Sequence, residues 1–220
     1  MPIKTIITGA TGMVGEGVLH ECLKSAEIEE VLVIGRKSCG IAHPKLKEIV
    51  HQDFFDLSAI ENQLRGYDAC FFCLGVSVVG VSNEEYKRLT YDLTMNFAET
   101  LLELNSEMTF CYVSGAGTDS TEKGRLAWAR IKGKTENDLM KLPFKRVYAF
   151  RPGFLKPTEG LKNANKLYAL ILWIYPILRR ISTKYASTLE EFGKAMINSV
   201  TKGYEKQILE VVDIIKLSKK

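Results

Sequence analysis

Apolar runs rich in β-branched and aromatic side chains alternate along this chain with longer segments whose apolar residues recur at helical spacing. Short runs that are apolar throughout belong to strands buried on both faces, and such strands build parallel sheets. The pattern predicts strands over 4–8, 31–34, 47–50, 69–74, 109–114, 146–150 and 208–212. Between them, 13–25 places Val14, Val18, Leu19 and Cys22 on one helical face, and 82–104 opens with Ser82 and Glu85 at capping-box spacing. Helices are also predicted over 126–141 and over 189–200, where Thr188 and Glu191 repeat the capping spacing. Strand and helix in alternation imply right-handed crossovers and an α/β, doubly wound parallel sheet. No repeat and no Gly/Pro/Ser-rich linker divides the chain, so 1–220 reads as one domain. Within it, 153–206 is expected to form a small, mainly helical C-terminal substrate lobe.

The first strand runs into Thr8-Gly9-Ala10-Thr11-Gly12-Met13-Val14-Gly15, a GxxGxxG pattern between a strand and a helix. Each glycine has a physical task there. Gly9 allows a sharp turn, Gly12 lets backbone amides approach a pyrophosphate, and Gly15 lets the helix lie close on the strand. The amides from Thr11 through Met13 and Val14 then sit at the positive end of a helix, which is an anion site. A glycine triplet is weak evidence alone, but at the first strand–helix junction of an alternating chain it implies a Rossmann fold that binds a dinucleotide.

Which dinucleotide depends on the end of the second strand. An acid there would bind the ribose hydroxyls of NAD, whereas a cation would pair with a 2′-phosphate. The strand is followed by Gly35-Arg36-Lys37 with no acid, so NADP is the expected cofactor and NAD the alternative. Arg36 would hold the 2′-phosphate, supported by Lys37 or Ser38. Past the third strand, Asp53 and Phe54 are placed to touch adenine, with a turn or cap as the other reading of Asp53. Cys73, Leu74 and Gly75 end the fourth strand, where Gly75 would let the backbone pass beside the ribose.

Taken together, TGATGMVG at 8–15, the arginine after the second strand, Val113-Ser114-Gly115-Ala116-Gly117, Trp128-Ala129-Arg130-Ile131-Lys132-Gly133-Lys134-Thr135-Glu136 and Arg151-Pro152-Gly153-Phe154 resemble the short-chain dehydrogenase/reductase superfamily. The likeness is to its atypical, extended branch of NAD-dependent epimerase-like proteins, and within that to Tat-interacting-protein-like oxidoreductases. It covers roughly 3–155. The resemblance implies a serine ending the fifth strand, matched by Ser114, and a Tyr-x-x-x-Lys pair on the next helix. Lys132 matches the lysine, which would hold the nicotinamide ribose, and Arg151, Pro152, Gly153 and Phe154 would border the nicotinamide. Trp128 occupies the tyrosine position, and an indole N–H cannot supply a proton at useful pH. No tyrosine stands between Tyr112 and Tyr148 to take its place. A tyrosine from elsewhere (Tyr86, Tyr91 or Tyr168), a route through Ser114 or water, or a protein that binds the cofactor without turnover are the three readings. The chain is accordingly expected to be an NADP-dependent oxidoreductase acting on a small or apolar carbonyl or alcohol, with a non-catalytic NADP-binding regulatory or interaction protein as the alternative.

The segment after Arg151 is short and apolar, which argues against a bulky nucleotide-sugar substrate. Its run over 167–178 is hydrophobic all round, so it is buried somewhere. It reads as a helix lining a greasy pocket, as a homodimer face, or as a peripheral membrane contact with Arg179 and Arg180 at headgroup level; it falls short of the ~20 residues needed to span.

Composition trims the alternatives. In 220 residues, 30 Lys plus Arg against 26 Asp plus Glu leave a net charge of +4, scattered along the chain, which is too weak to argue for nucleic acid. Five cysteines, an odd number mostly in apolar runs, suggest reduced thiols in a cytoplasmic protein, and no targeting segment is evident. Cys70 and Cys73 have CxxC spacing but stand on a strand where they face opposite ways, and His20, His43 and His51 are isolated, so no metal site is expected.

Overall fold

The computed structural model describes residues 2–158, 160–163 and 185–220. The order is β1 (Ile3–Thr8), α1 (Met13–Lys24), β2 (Ile28–Gly35), β3 (Leu46–Val50), a 3-10 turn (Glu61–Leu64), β4 (Ala69–Phe72), α2 (Asn83–Lys87), α3 (Leu93–Leu104), β5 (Thr109–Val113), α4 (Ala127–Leu139) and β6 (Arg146–Phe150). There follow β7 (Phe154–Lys156), β8 (Ala186–Thr188), α5 (Leu189–Thr201), β9 (Ile208–Leu209) and α6 (Val211–Leu217). The main sheet runs β3-β2-β1-β4-β5-β6-β9 with every pair parallel. The chain winds outward from β1 to β3 and returns to β4 beside β1, so the order reverses between β1 and β4, where ligands bind in doubly wound sheets.

Side-chain alternation along each strand explains the two layers. Ile7, Phe71 and Cys111 face one side and pack with Val18, Leu19, Phe192 and Met196 of α1 and α5. Their neighbours Ile6, Phe72 and Phe110 face the other and pack with Phe97, Leu101 and Leu139 of α3 and α4. Both faces are apolar, as continuous hydrophobic strands require. The stretch Leu189–Thr201 lies against α1 in the first of these layers. Its capping box is formed, Glu191 N–H donating to Thr188 Oγ1 at 3.0 Å and Thr188 N–H to Glu191 Oε2 at 2.9 Å.

Several boundaries differ from expectation. The predicted strand 69–74 stops at Phe72, where its pairing with Thr8 of β1 and Tyr112 of β5 ends, and the backbone of Cys73 and Leu74 then passes close to Gly9. The predicted strand 208–212 is only Ile208–Leu209, since Glu210 caps α6 through the amide and carboxylate of Asp213. The predicted helix 82–104 is capped by Ser82 as expected, Glu85 N–H donating to its Oγ at 3.1 Å, but a π-helical turn over Arg88–Asp92 separates α2 from α3. The parallel pair β7–β8 was not anticipated. The apolar run 167–178 and the dimer and membrane readings attached to it lie outside the described residues.

Candidate functional site

The turn after β1 is built around two close approaches. Gly9 has φ +72°, and a Cβ there would lie 2.7 Å from the Cys73 carbonyl oxygen; a Cβ on Gly15 would lie 2.2 Å from the Gly9 oxygen. Only glycine lets α1 start this near to β1 and β4. Gly12, the N-cap of α1, offers no side-chain oxygen, so the first-turn amides of Met13, Val14 and Gly15 have no side-chain cap. Uncapped amides at the positive end of a twelve-residue helix suit a pyrophosphate.

Beside this turn lies a cleft of about 740 Å³. Gly9, Thr11, Arg36, Lys37, Asp53, Phe54, Leu74 and Gly75 line it. Eight residues singled out in the sequence for one dinucleotide thus come together from four separate loops. Sequence reasoning missed Gln52, whose Nε2 donates to the Arg36 carbonyl at 2.8 Å and so steadies the arginine loop. It also missed the apolar wall of Phe55, Val76, Leu89 and Leu93. Arg36 and Lys37 have no ion-pair partner among the described residues. Asp53 Oδ1 accepts the Phe55 N–H at 2.8 Å, so it is a turn residue as well as a cleft residue. The Cys73 thiol packs against the core and burial pushes its pKa up, which leaves only its backbone beside the glycine turn. Cys70 packs on the opposite side of the sheet.

Ser114, Lys132 and Trp128 stand outside the lining of this cleft, at the carboxyl end of β5 and on α4. Ser114 N–H donates to the Phe150 carbonyl at 2.8 Å, and Ala116 N–H to that of Pro152 at 2.9 Å, so the loop after β5 is stitched to the end of β6. Helix α4 presses on the same loop: a Cβ at Gly133 would sit 1.8 Å from the Asp119 carbonyl oxygen. Trp128 covers Gly117, whose added Cβ would meet the indole at 3.4 Å. Lys132 Nζ stands over the Tyr112 ring at 5.4 Å from its centroid. Desolvation lowers its pKa to about 8, against an opposing effect of Glu136, and it has no ion-pair partner among the described residues.

Two of the three tyrosines weighed as alternative proton donors are held within the fold. Tyr91 Oη donates to Asp138 Oδ2 at 2.8 Å, and Tyr86 is only 2% exposed, its pKa raised by burial. Tyr168 lies outside the described residues.

The side chain of Arg151 is committed to structure. Its Nε reaches Glu136 Oε1 at 3.0 Å, one Nη reaches Glu210 Oε1 at 3.1 Å, and the other contacts Ser120 Oγ and Glu136 Oε2. Gly153 packs against the carbonyl of Tyr185, and Phe154 N–H donates to that same oxygen at 2.8 Å, opening β7. None of Arg151, Pro152, Gly153 and Phe154 lines the cleft beside the glycine turn.

Comparison with known proteins shows the family and the fold. The model of the NAD dependent epimerase/dehydratase family matches residues 5–126. The chain is 29% identical over 187 residues to leucinostatins biosynthesis cluster protein T of Purpureocillium lilacinum, covering 81% of this chain and 65% of that protein, just under two thirds of its length. It is 25% identical over 225 residues to protein FMP52, mitochondrial, of Candida albicans, covering 97% of this chain and 94% of that protein. It is 27% identical over 151 residues to rat protein HTATIP2, covering 68% of this chain and 61% of that protein. Among solved structures, the Bordetella bronchiseptica enzyme WbmG in complex with NAD superposes with a TM-score of 0.69 at 13% identity, over 99% of this chain and 77% of that one, a likeness of fold. The glycine turn, the cleft at the switch point and the family match converge: the chain belongs to the NAD-dependent epimerase/dehydratase family.

Proposed function

We propose that this chain is an NADP-dependent oxidoreductase acting on a small or apolar carbonyl or alcohol. The observation that carries the reading is the placement of Arg36 and Lys37, without ion-pair partners among the described residues, in the cleft that the glycine turn opens onto. A 2′-phosphate would meet a guanidinium there, the pairing that gives bidentate, charge-assisted hydrogen bonds. The first-turn amides of α1 would hold the pyrophosphate, and Asp53, Phe54 and Gly75 would border the adenosine. Once bound, the dinucleotide supplies hydride exchange with a carbon of the substrate. Lys132 would contact the ribose on the nicotinamide side, and Ser114 would orient the substrate oxygen. Exposed Val76, Val78 and Val79 on the loop after β4, with Leu126 just before α4, give the carboxyl end of the sheet an apolar rim, which supports an apolar substrate.

A second reading has its own observation: Trp128 packs on Gly117 where a proton-donating tyrosine is expected, which suits a protein that binds NADP as a regulatory or interaction partner. NADPH oxidation measured against a panel of aldehydes and ketones decides between them. Turnover by the unmodified chain supports the enzyme. Tight NADPH binding without turnover, with activity gained only in Trp128→Tyr, overturns it.

The five cysteines are unpaired, in keeping with a reducing compartment. We propose the cytoplasm, with the mitochondrion, named for the Candida albicans relative, as the competing location. Fractionation of cells producing the full-length protein separates the two. Among the described residues no helix is long and apolar enough to cross a membrane.

A further inference from the structure

Ser114 Oγ lies 2.9 Å from Thr118 Oγ1, and Thr118 Oγ1 lies 2.8 Å from the Gly115 carbonyl oxygen. A hydroxyl has one proton to give. A carbonyl can only accept, so the Thr118 proton goes to Gly115, and the short contact between the two hydroxyls is filled by the Ser114 proton. Both residues are only 7% exposed, so water does not compete freely for either proton. The backbone holds the pair in place: Thr118 N–H also donates to Gly115 at 3.2 Å, Ser114 N–H is fixed to Phe150, and Trp128 closes over Gly117 between them.

We propose that Thr118 is a positioning residue that turns the Ser114 hydroxyl into a hydrogen-bond acceptor, so that the site takes a hydroxyl-bearing ligand in preference to the matching carbonyl. The inference rests on the cofactor-dependent reading above and deepens it by naming the ligand's hydrogen-bonding class. A ligand O–H finds a free lone pair on Ser114 Oγ. A carbonyl oxygen meets that same lone pair and gains a donor only if the serine abandons Thr118, which leaves a buried hydroxyl short of a partner.

Matched pairs of secondary alcohols and ketones, beginning with cyclohexanol and cyclohexanone, test it by calorimetric or NMR titration. The protein is saturated with the cofactor form that cannot react, NADPH for the alcohol and NADP⁺ for the ketone. The alcohol is expected to bind more tightly by about tenfold, the scale of one unmade hydrogen bond to a buried group. Thr118→Val, which frees the Ser114 proton, should collapse that ratio toward one or invert it, and Thr118→Ser should restore it. A folded Thr118→Val protein with an unchanged ratio overturns the inference, as does failure of every alcohol in the panel to bind the cofactor-loaded protein. A preceding titration separates the two levels: no NADPH binding refutes the underlying reading and removes the inference with it, whereas NADPH binding with an unmoved ratio refutes the inference alone.

Discussion

The guanidinium of Arg151, just past the end of β6, takes both carboxylate oxygens of Glu136 on α4, and Glu136 is completely buried. Glu136 lies one helical turn beyond Lys132, and Arg151 also reaches Ser120 and Glu210, so one cation ties together the loop after β5, α4, β6 and the start of α6. Breaking such a pair strands a charge in the core, at a cost of about 3–5 kcal/mol. Arg151→Met is therefore expected to lower the melting temperature by roughly 10 °C. The double variant Arg151→Met/Glu136→Gln should recover about half of that loss, because the buried side chain at 136 is then no longer a carboxylate stripped of its cation. Differential scanning calorimetry of the two variants makes the comparison, and equal losses in both would show that the pair does not act as a unit.

Lys132 points to a trade between stability and binding. Its folded pKa of about 8 lies below the ordinary lysine value because burial disfavours the ammonium. Between pH 8 and about 10.5 the unfolded chain binds more protons at this residue than the folded one, so stability rises with pH across that window, and the full cost is present below pH 8. Lys132→Met should stabilise the unliganded protein at pH 7 by about 1–3 kcal/mol and do little at pH 10.5. It should weaken NADPH binding at pH 7, and in the unmodified chain binding should decline as pH rises through 8. Thermal melts at the two pH values and NADPH titrations across the range check both halves. A Lys132→Met protein less stable at pH 7 would contradict the electrostatic account.

Gly133 is where α4 comes closest to the loop after β5, beside hydrogen bonds from Asp119 N–H to the Ala129 carbonyl and from Asn137 Nδ2 to the Ser120 carbonyl. A methyl group there would run into the Asp119 carbonyl at 1.8 Å, a backbone atom that cannot swing aside. Gly133→Ala is expected to cost about 1–3 kcal/mol or more, although alanine favours a helix elsewhere. A stabilised Gly133→Ala protein in urea unfolding would mean that α4 does not rest on that loop.

How much of this was legible in the chain depends on the range of the interaction that decides each feature. The Gly9–Gly15 turn, the central strands β1, β5 and β6 and the Ser82 and Thr188 caps are set by residues within a few positions of one another, and they appear where local pattern puts them. Arg36 and Asp53 were legible because the doubly wound topology dictates which strand ends meet. The partnering of Arg151 with Glu136 and Glu210 was not, since an arginine in sequence carries no sign of which acids tertiary packing will bring to it. Thr118 was missed for a related reason: the loop after β5 curls back on itself through Gly117, at φ +85°, and only that curl brings the hydroxyl to Ser114. The strand pair β7–β8 joins Phe154–Lys156 to Ala186–Thr188 across a long stretch of chain, a pairing that periodicity over a short window does not register.

The measurement that bears most directly on the proposed role is a paired titration of NADPH and NADH, followed by tryptophan or nicotinamide fluorescence, on the unmodified chain and on Arg36→Ala. The expected result is NADPH tighter than NADH by about tenfold or more, with Arg36→Ala removing that preference while leaving NADH binding in place. NADH binding as tightly as NADPH, or a preference that Arg36→Ala does not change, would contradict the assignment of this cleft to a 2′-phosphate.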